Sequence, residues 1–281
     1  MGINIKLWGT RGSISAPGSG TVKVGGNTTC VEVTTQEERR IIIDAGTGIR
    51  LLGNKLRLEP LKPICLLLTH SHWDHLSGFT FFAPAFDPEQ VIDIYGNRMA
   101  QEVLQRDIFD RQDNRYSPVN RDNLRAQFKF IDELPAPFFI GSVEILTLNL
   151  NHPGNGYAFR FNYSGRSLAF VTDNEIGREY PGGHNVIQLM DFCRGADLLI
   201  HDAQYLPSEL ANHRGWGHSS YEEVIDLARD CGVRQVLLTH HDPERNDEQC
   251  EQMLSEARDY VRSLNLSLNC DLAIEGREIS L

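Results

Sequence analysis

The apolar residues of this chain fall mostly into short runs, spaced for strands more often than for helices. Ile3 to Trp8 alternates apolar and polar positions, as a strand with one solvated side does. Thr29 to Thr35 and Arg40 to Asp44 predict two more strands, the second running through Asp44-Ala45-Gly46-Thr47-Gly48 into a helix. Ile64 to Leu68 is apolar throughout, which marks a parallel strand buried on both faces. Phe79 to Phe86, aromatic and broken by proline, reads as a loop; Val91 to Tyr95 predicts a strand and Arg98 to Phe109 a helix. In the second half, Ser142 to Leu150 alternates, and Tyr157 to Tyr163 with Arg166 to Thr172 makes a hairpin across Ser164-Gly165. Ala196 to Ile200 and Val236 to Thr239 are further buried strands, and Leu272 to Ile274 closes the sheet. Ser219-Ser220-Tyr221-Glu222-Glu223 offers a capping box for a helix reaching Asp230, and Asp247 to Leu264 has the pattern of a long amphipathic helix. The Gly-, Ser- and Pro-rich stretch Ala16 to Asn27 reads as a long connection between strands rather than a lid. Two strand-rich halves with helices and no linker predict an α/β protein, an αββα sandwich in one domain over residues 1–281.

Composition narrows the setting. No apolar run approaches the roughly 20 residues of a membrane span, and Met1 to Trp8 has no signal-peptide core. Six scattered cysteines without a C-x-x-C read as reduced packing residues of a cytoplasmic protein. A net charge of −11 argues against an extended nucleic-acid partner, which needs Lys and Arg to displace phosphate counterions. Arg106, Arg111, Arg115, Arg121 and Arg125 are interleaved with Asp107, Asp110, Asp113 and Asp122, so this stretch reads as a self-paired surface. Gly46 and Gly48 lack the spacing and the lysine of a phosphate loop.

The chemistry is concentrated after the buried strand, in His70-Ser71-His72-Trp73-Asp74-His75. On extended chain His70 and His72 point to one side, and a turn at Trp73 lets Asp74 and His75 face a second position. That arrangement suits two adjacent metal ions at a strand end, where open α/β sheets place their ligands. His152, Asp173 and His240 each follow an apolar segment in the same way, so the ligands would stand on rigid supports. Histidines and aspartates without a thiolate fit zinc, and would also accept manganese or iron.

His-x-His-x-Asp-His at 70–75, followed in order by His152, Asp173 and His240, resembles the metallo-β-lactamase fold superfamily over nearly the whole chain. The resemblance implies two Zn2+ per chain. His70, His72 and His152 would hold one ion, Asp74, His75 and His240 the other, and Asp173 would bridge them. Asp44 matches the superfamily's first motif and would support a ligand from behind. His201-Asp202-Ala203 and Gly217-His218-Ser219-Ser220 resemble the His-Glu-Ala-Thr and His-Ser-Thr elements of RNase Z-like phosphodiesterases. In that likeness a metal-held hydroxide attacks phosphorus, and His218, oriented by Asp202, protonates the leaving oxygen. The helix that starts after His218 disfavours an imidazolium there, and a nearby Asp202 should restore its basicity. His184, His213 and His241 match no motif and read as surface or supporting residues.

RNase Z proper carries a tRNA-gripping arm between the residues that match His152 and Asp173. Here that gap has room for one hairpin, which favours a small phosphodiester over tRNA. Gly9-Thr10-Arg11-Gly12-Ser13, Gly25 to Cys30 and Trp216-Gly217-His218-Ser219-Ser220 look like the cyclic-nucleotide phosphodiesterases of bacteria and phages, among them the anti-Pycsar protein family. That likeness implies a 3′,5′-cyclic mononucleotide as substrate. It also implies a homodimer in which loop 12–27 or 80–90 approaches the partner's pocket. The alternatives are an RNase Z-like tRNA 3′-processing endonuclease and a thioester or lactam hydrolase with no need of His218. A non-catalytic binding module is disfavoured by the complete ligand set.

Overall fold

Alternation along the central strands assigns one face to each of two cores, which is why so many strands are apolar throughout. In Ile64–Leu68, Cys65 and Leu67 join one core while Ile64, Leu66 and Leu68 join another. The computed structural model describes residues 2–36, 39–106, 119, 121–131 and 134–281, and among them the strands form two seven-stranded sheets. The first sheet contains β1 (Asn4–Gly9), β2 (Cys30–Thr34), β3 (Arg40–Ile43), β4 (Ile64–Leu68), β5 (Val91–Gly96) and β6 (Gln127–Phe130) in that spatial order. The second contains β7 (Phe138–Ile140), β8 (Val143–Asn149), β9 (Tyr157–Tyr163), β10 (Arg166–Val171), β11 (Leu198–Asp202), β12 (Gln235–Thr239) and β13 (Asn269–Leu272). β3 to β6 are parallel, and so are β10 to β13. The chain then returns to the first sheet, where β14 (Glu278–Ser280) pairs antiparallel with β1.

Between the sheets, Leu7, Val33 and Ile43 from the first meet Phe161, Phe170 and Ile200 from the second. Helix α1 (Ile49–Leu56) covers the outer face of the first sheet, with short α2 (Trp73–Leu76) and α3 (Arg98–Leu104) beside it. Helices α4 (Val186–Cys193), α6 (Tyr221–Asp230) and α7 (Asp247–Ser263) cover the second, packing Leu189, Ile225 and Met253 on Leu199 and Val236. A further helix, α5 (Pro207–His213), precedes α6. The layers are therefore αββα, as the periodicity predicts. The capping box at Ser220 and Glu223 is present, and the six cysteines are buried free thiols. Among the described residues no helix is long and apolar enough to cross a membrane.

Two local expectations change. Phe79 to Phe86 folds as two 3-10 turns, because Phe79 and Phe82 bury against α1. The helix expected over Arg98 to Phe109 is present as α3, and its last residues, with the rest of 107–118 and 120 in the arginine-rich stretch, lie outside the described residues. The C-terminal strand that completes the first sheet is β14, a three-residue edge strand that is exposed or half-buried along its length and so carries no apolar pattern.

The connection from 12 to 27 is anchored at both ends by one side chain. Arg11 has no exposed surface; its Nε and Nη2 donate to the Gly25 carbonyl at 3.1 and 2.8 Å, and Nη1 to those of Asp242 and Arg245 at 2.9 and 2.8 Å. The Asp247 carboxylate accepts from the Lys23 and Val24 amides, both at 2.9 Å. These bonds fit a fixed connection rather than a lid. Lysine at position 11 keeps the charge but cannot serve both sides of the span. Arg11→Lys should therefore lower stability by about 2–4 kcal/mol, read as a lower urea midpoint at unchanged slope.

Candidate metal centre

The site lies where strands from both sheets stop. His70 follows β4, and α2 then turns Asp74 and His75 inward; His152, Asp173 and His240 follow β8, β10 and β12. Asp44 (φ 59°), Asp173 (φ 54°) and His240 (φ 58°) all adopt left-handed backbone within two residues of a strand end. Such a conformation costs a residue with a Cβ on the order of 1 kcal/mol, and the buried strands behind hold it in place.

Two groups of side chains converge there. His70, His72, His152 and Asp173 bring ligand atoms within 4.8 Å of one another, and so do Asp74, His75 and His240. Asp173 faces both groups: Oδ1 lies 3.7 Å from His70 Nε2 and 3.2 Å from His240 Nε2, while Oδ2 lies 3.3 Å from His75 Nε2. All seven residues singled out by the sequence motif are thus brought together. Their fit to metal has a direct sign. His70 Nε2 and His75 Nε2 are buried with no hydrogen-bond partner, and a buried polar atom left unpaired is costly. Nitrogen and carboxylate donors in this density suit a divalent cation.

The outer nitrogens are fixed from behind. His75 Nδ1 donates to Asp44 Oδ2 at 2.7 Å, and His70 Nδ1 to Thr69 Oγ1 at 3.1 Å, whose hydroxyl donates in turn to Asp44 at 2.8 Å. His152 Nδ1 donates to the Gly217 carbonyl at 3.1 Å, and His240 Nδ1 to Gln204 Oε1 at 2.9 Å. Each bond sets a tautomer that leaves Nε2 facing inward, as metal-binding histidines require. A Cβ at Gly12 would collide with the His240 ring, and one at Gly217 with His152, so glycine is required at both contacts. Next to Gly12, the Ser13 amide donates to Asp74 Oδ2 at 2.8 Å.

Charge is uneven across the cluster. Burial pushes His70 well below the usual imidazole range and His152 down to about 4. Burial opposes charge on His75 and His240 too, but Asp74 and Asp173 outweigh it, holding His75 well above the ordinary value and His240 up at about 10. The two carboxylates thus create a buried demand for positive charge.

His218 is also in place, with its ring stacked on His240 at 4.8 Å and Nδ1 3.3 Å from Asp202 Oδ2. Asp202 is fully buried and accepts from the Asn174 and Ser219 amides at 3.0 and 3.1 Å. The expected gain in basicity is not found. Burial, aided by His240, takes His218 down to about 3, whereas burial raises Asp202 to about 7. Desolvation is the largest cause for both groups, and His218 Nδ1 is buried without a hydrogen-bond partner although Asp202 is 3.3 Å away. His184 and His241 are buried rather than superficial: His184 Nε2 donates to Asn174 at 2.7 Å, and His241 Nε2 to the Ala273 carbonyl at 2.8 Å. A cavity of about 860 Å³ on the outer face of the first sheet, lined by Arg50, Arg57 and Phe81, contains none of these residues.

Residues 39–241 match the Beta-lactamase superfamily domain. A ribonuclease Z from an Exiguobacterium species is 25% identical over 71% of this chain and 78% of its own length. Among solved structures, the metallo-β-lactamase fold protein YhfI from Bacillus subtilis superposes with a TM-score of 0.71 at 18% identity, covering 100% of both chains. A diphosphatase of the PhnP family gives 0.69 at 17% identity, covering 100% of this chain and 98% of its own. The two superpositions carry the fold. With the site, the domain match and the ribonuclease Z relative, the protein is a metal-dependent hydrolase. It belongs to the metallo-β-lactamase superfamily, on the RNase Z-like branch.

Asp44 touches no inward-facing nitrogen, yet it orients two ligands. Asp44→Ala should weaken metal binding about 10- to 100-fold, measured by competition with a chromophoric chelator. Unchanged affinity would remove its supporting role.

Proposed function

We propose that this hydrolase is a phosphodiesterase for small phosphodiesters, with a 3′,5′-cyclic mononucleotide as substrate. The observation that carries the reading is His218, which is stacked on His240, with Asp202 3.3 Å from its Nδ1. A thioester hydrolase has no use for a proton donor at that place, because a thiolate departs unprotonated. An alkoxide leaving phosphorus needs protonation. His70, His72, His152 and Asp173 would hold one zinc ion and Asp74, His75, His240 and Asp173 a second, with manganese or iron as other occupants. Bound there, divalent ions supply Lewis-acid stabilisation of the phosphoryl oxygens and a nucleophile from water near neutral pH.

The chain's own groups do the rest. His218 protonates the leaving oxygen as it gains charge, and Asp202, fixed by the Ser219 and Asn174 amides, is the carboxylate 3.3 Å from its Nδ1. The span between His152 and Asp173 is mainly the β9–β10 hairpin, and the net charge is −11, both of which favour a small substrate. The likeness to ribonuclease Z supports a second reading, cleavage of a tRNA precursor. We further propose that the enzyme is a cytoplasmic homodimer.

His218→Ala should retain its metal and lose about 10²- to 10⁴-fold in turnover of cyclic AMP. It should lose far less on bis-p-nitrophenyl phosphate, whose leaving group needs no proton. Equal losses on the two substrates would end the proton-donor role. Activity of the wild type on a thioester or a tRNA precursor but not on cyclic nucleotides would replace the substrate assignment.

A further inference from the structure

Six of the seven clustered residues are buried, and His72 is exposed, so the metal centre opens to solvent at His72. His72 Nδ1 lies 3.1 Å from His152 Nε2, and His152 is bound through its other nitrogen to Gly217. Two chain segments therefore border the opening. Trp73 follows His72 directly, and Trp216 directly precedes Gly217; each indole is 60% exposed. Single exposed apolar side chains are common on proteins. Here the two exposed tryptophans each follow or precede a residue of the site, His72 or Gly217, and Trp216 is linked to His218 through a chain of ring contacts.

Trp216 is also held rather than loose. Its ring meets His213 edge-on at 5.1 Å, His213 stacks on Tyr205 at 4.2 Å, and Tyr205 meets His218 edge-on at 5.9 Å. Beneath the loop, the fully buried Glu175 carboxylate accepts from the Gly215 amide at 2.9 Å, the Gly217 amide at 3.1 Å and the Tyr180 hydroxyl at 2.7 Å. Gly215 and Gly217 both have positive φ, so the backbone turns sharply on each side of Trp216. A prepositioned aromatic surface loses little conformational freedom when a flat group settles on it.

We infer that Trp73 and Trp216 form a stacking subsite for the planar base of the substrate, at the mouth of the metal centre. The inference rests on the phosphodiesterase reading: the cluster takes the phosphate, and the remaining uncharged part of a small nucleotide is an aromatic heterocycle. Stacking on an indole accepts any base, since each has a π face. Neither tryptophan touches the metal cluster's ligand atoms in this assignment, so both act on affinity rather than on chemistry. Trp8 lies elsewhere, on β1 with Lys6 Nζ 4.7 Å from its ring, and serves as an internal control.

The test uses full-length, metal-loaded protein and needs no turnover. Adenosine 5′-monophosphate should quench tryptophan fluorescence and bind more tightly than ribose 5-phosphate. Trp216→Ala and Trp73→Ala should each weaken the nucleotide about 5- to 100-fold, with ribose 5-phosphate and inorganic phosphate unchanged. Trp216→Phe should fall between. If cyclic nucleotides are turned over, the same variants should raise KM with kcat held. Equal affinity of the wild type for the two monophosphates, or equal weakening of both in the variants, would overturn the subsite. So would a loss of affinity that tracks a change of oligomeric state by light scattering, which would make the tryptophans a contact between subunits. Absence of cyclic-nucleotide hydrolysis with base-dependent quenching intact would instead count against the substrate reading alone.

Discussion

Asp173 is the residue on which the two sheets converge. It is 2% exposed, stands on left-handed backbone at the end of β10, and faces imidazoles delivered from β4, α2 and β12. A buried carboxylate is tolerable only with nearby positive charge or several donors. Thr172 Oγ1 supplies one donor at 2.6 Å, and the rest of the compensation comes from histidines and the cation they are arranged to hold. The fold answers this constraint by ending strands of both sheets at one edge. Neither sheet alone carries the full set, since His70, His72, Asp74 and His75 come from the first and His152, Asp173 and His240 from the second.

The segment after Asp173 extends this coupling. Asn174 Oδ1 accepts from the Asn151 amide at 3.0 Å, and the Asn174 carbonyl from Ser219 Oγ at 2.6 Å. The Asn174 amide binds Asp202 at 3.0 Å, and Glu175 binds the loop before His218. Asn174 and Glu175 thus tie the supports of His152, Asp202 and His218 to the aspartate facing both ligand groups. Charge balance and proton handling share one scaffold, so displacement of one ligand loop would be felt by the others.

The candidate ligands are readable in sequence because His70, His152, Asp173 and His240 lie within two residues of an apolar run, whose burial fixes where they go, and His72, Asp74 and His75 follow His70 in one short motif. What supports them is hidden for a different reason. Gln204 reaches His240 across 36 residues and Gly217 reaches His152 across 65, through an amide side chain and a backbone carbonyl that no local pattern distinguishes. Thr69 is adjacent to His70, but its link to Asp44 spans 25 residues and depends on β3 lying beside β4. The low basicity of His218 is not legible because motif resemblance carries its proximity to Asp202 but not the depth of its burial. β14 is not legible because an exposed edge strand has no apolar periodicity.

The division between floor and rim bears on the anionic substrate proposed above. The clustered imidazoles and the cation they would hold sit on a buried, poorly screened floor, while the Lys, Arg, Asp and Glu of the whole chain sum to a net charge of −11. Surface repulsion falls off within a Debye length of about 8 Å in physiological salt, so a small anion pays it only at the approach. A long polyanion would meet it along its whole length. Selection for size can therefore arise from charge placement without any steric gate. If the ligand is the proposed nucleotide, what remains to be discriminated is its uncharged part, and the exposed Trp73 and Trp216 are the groups proposed for that task.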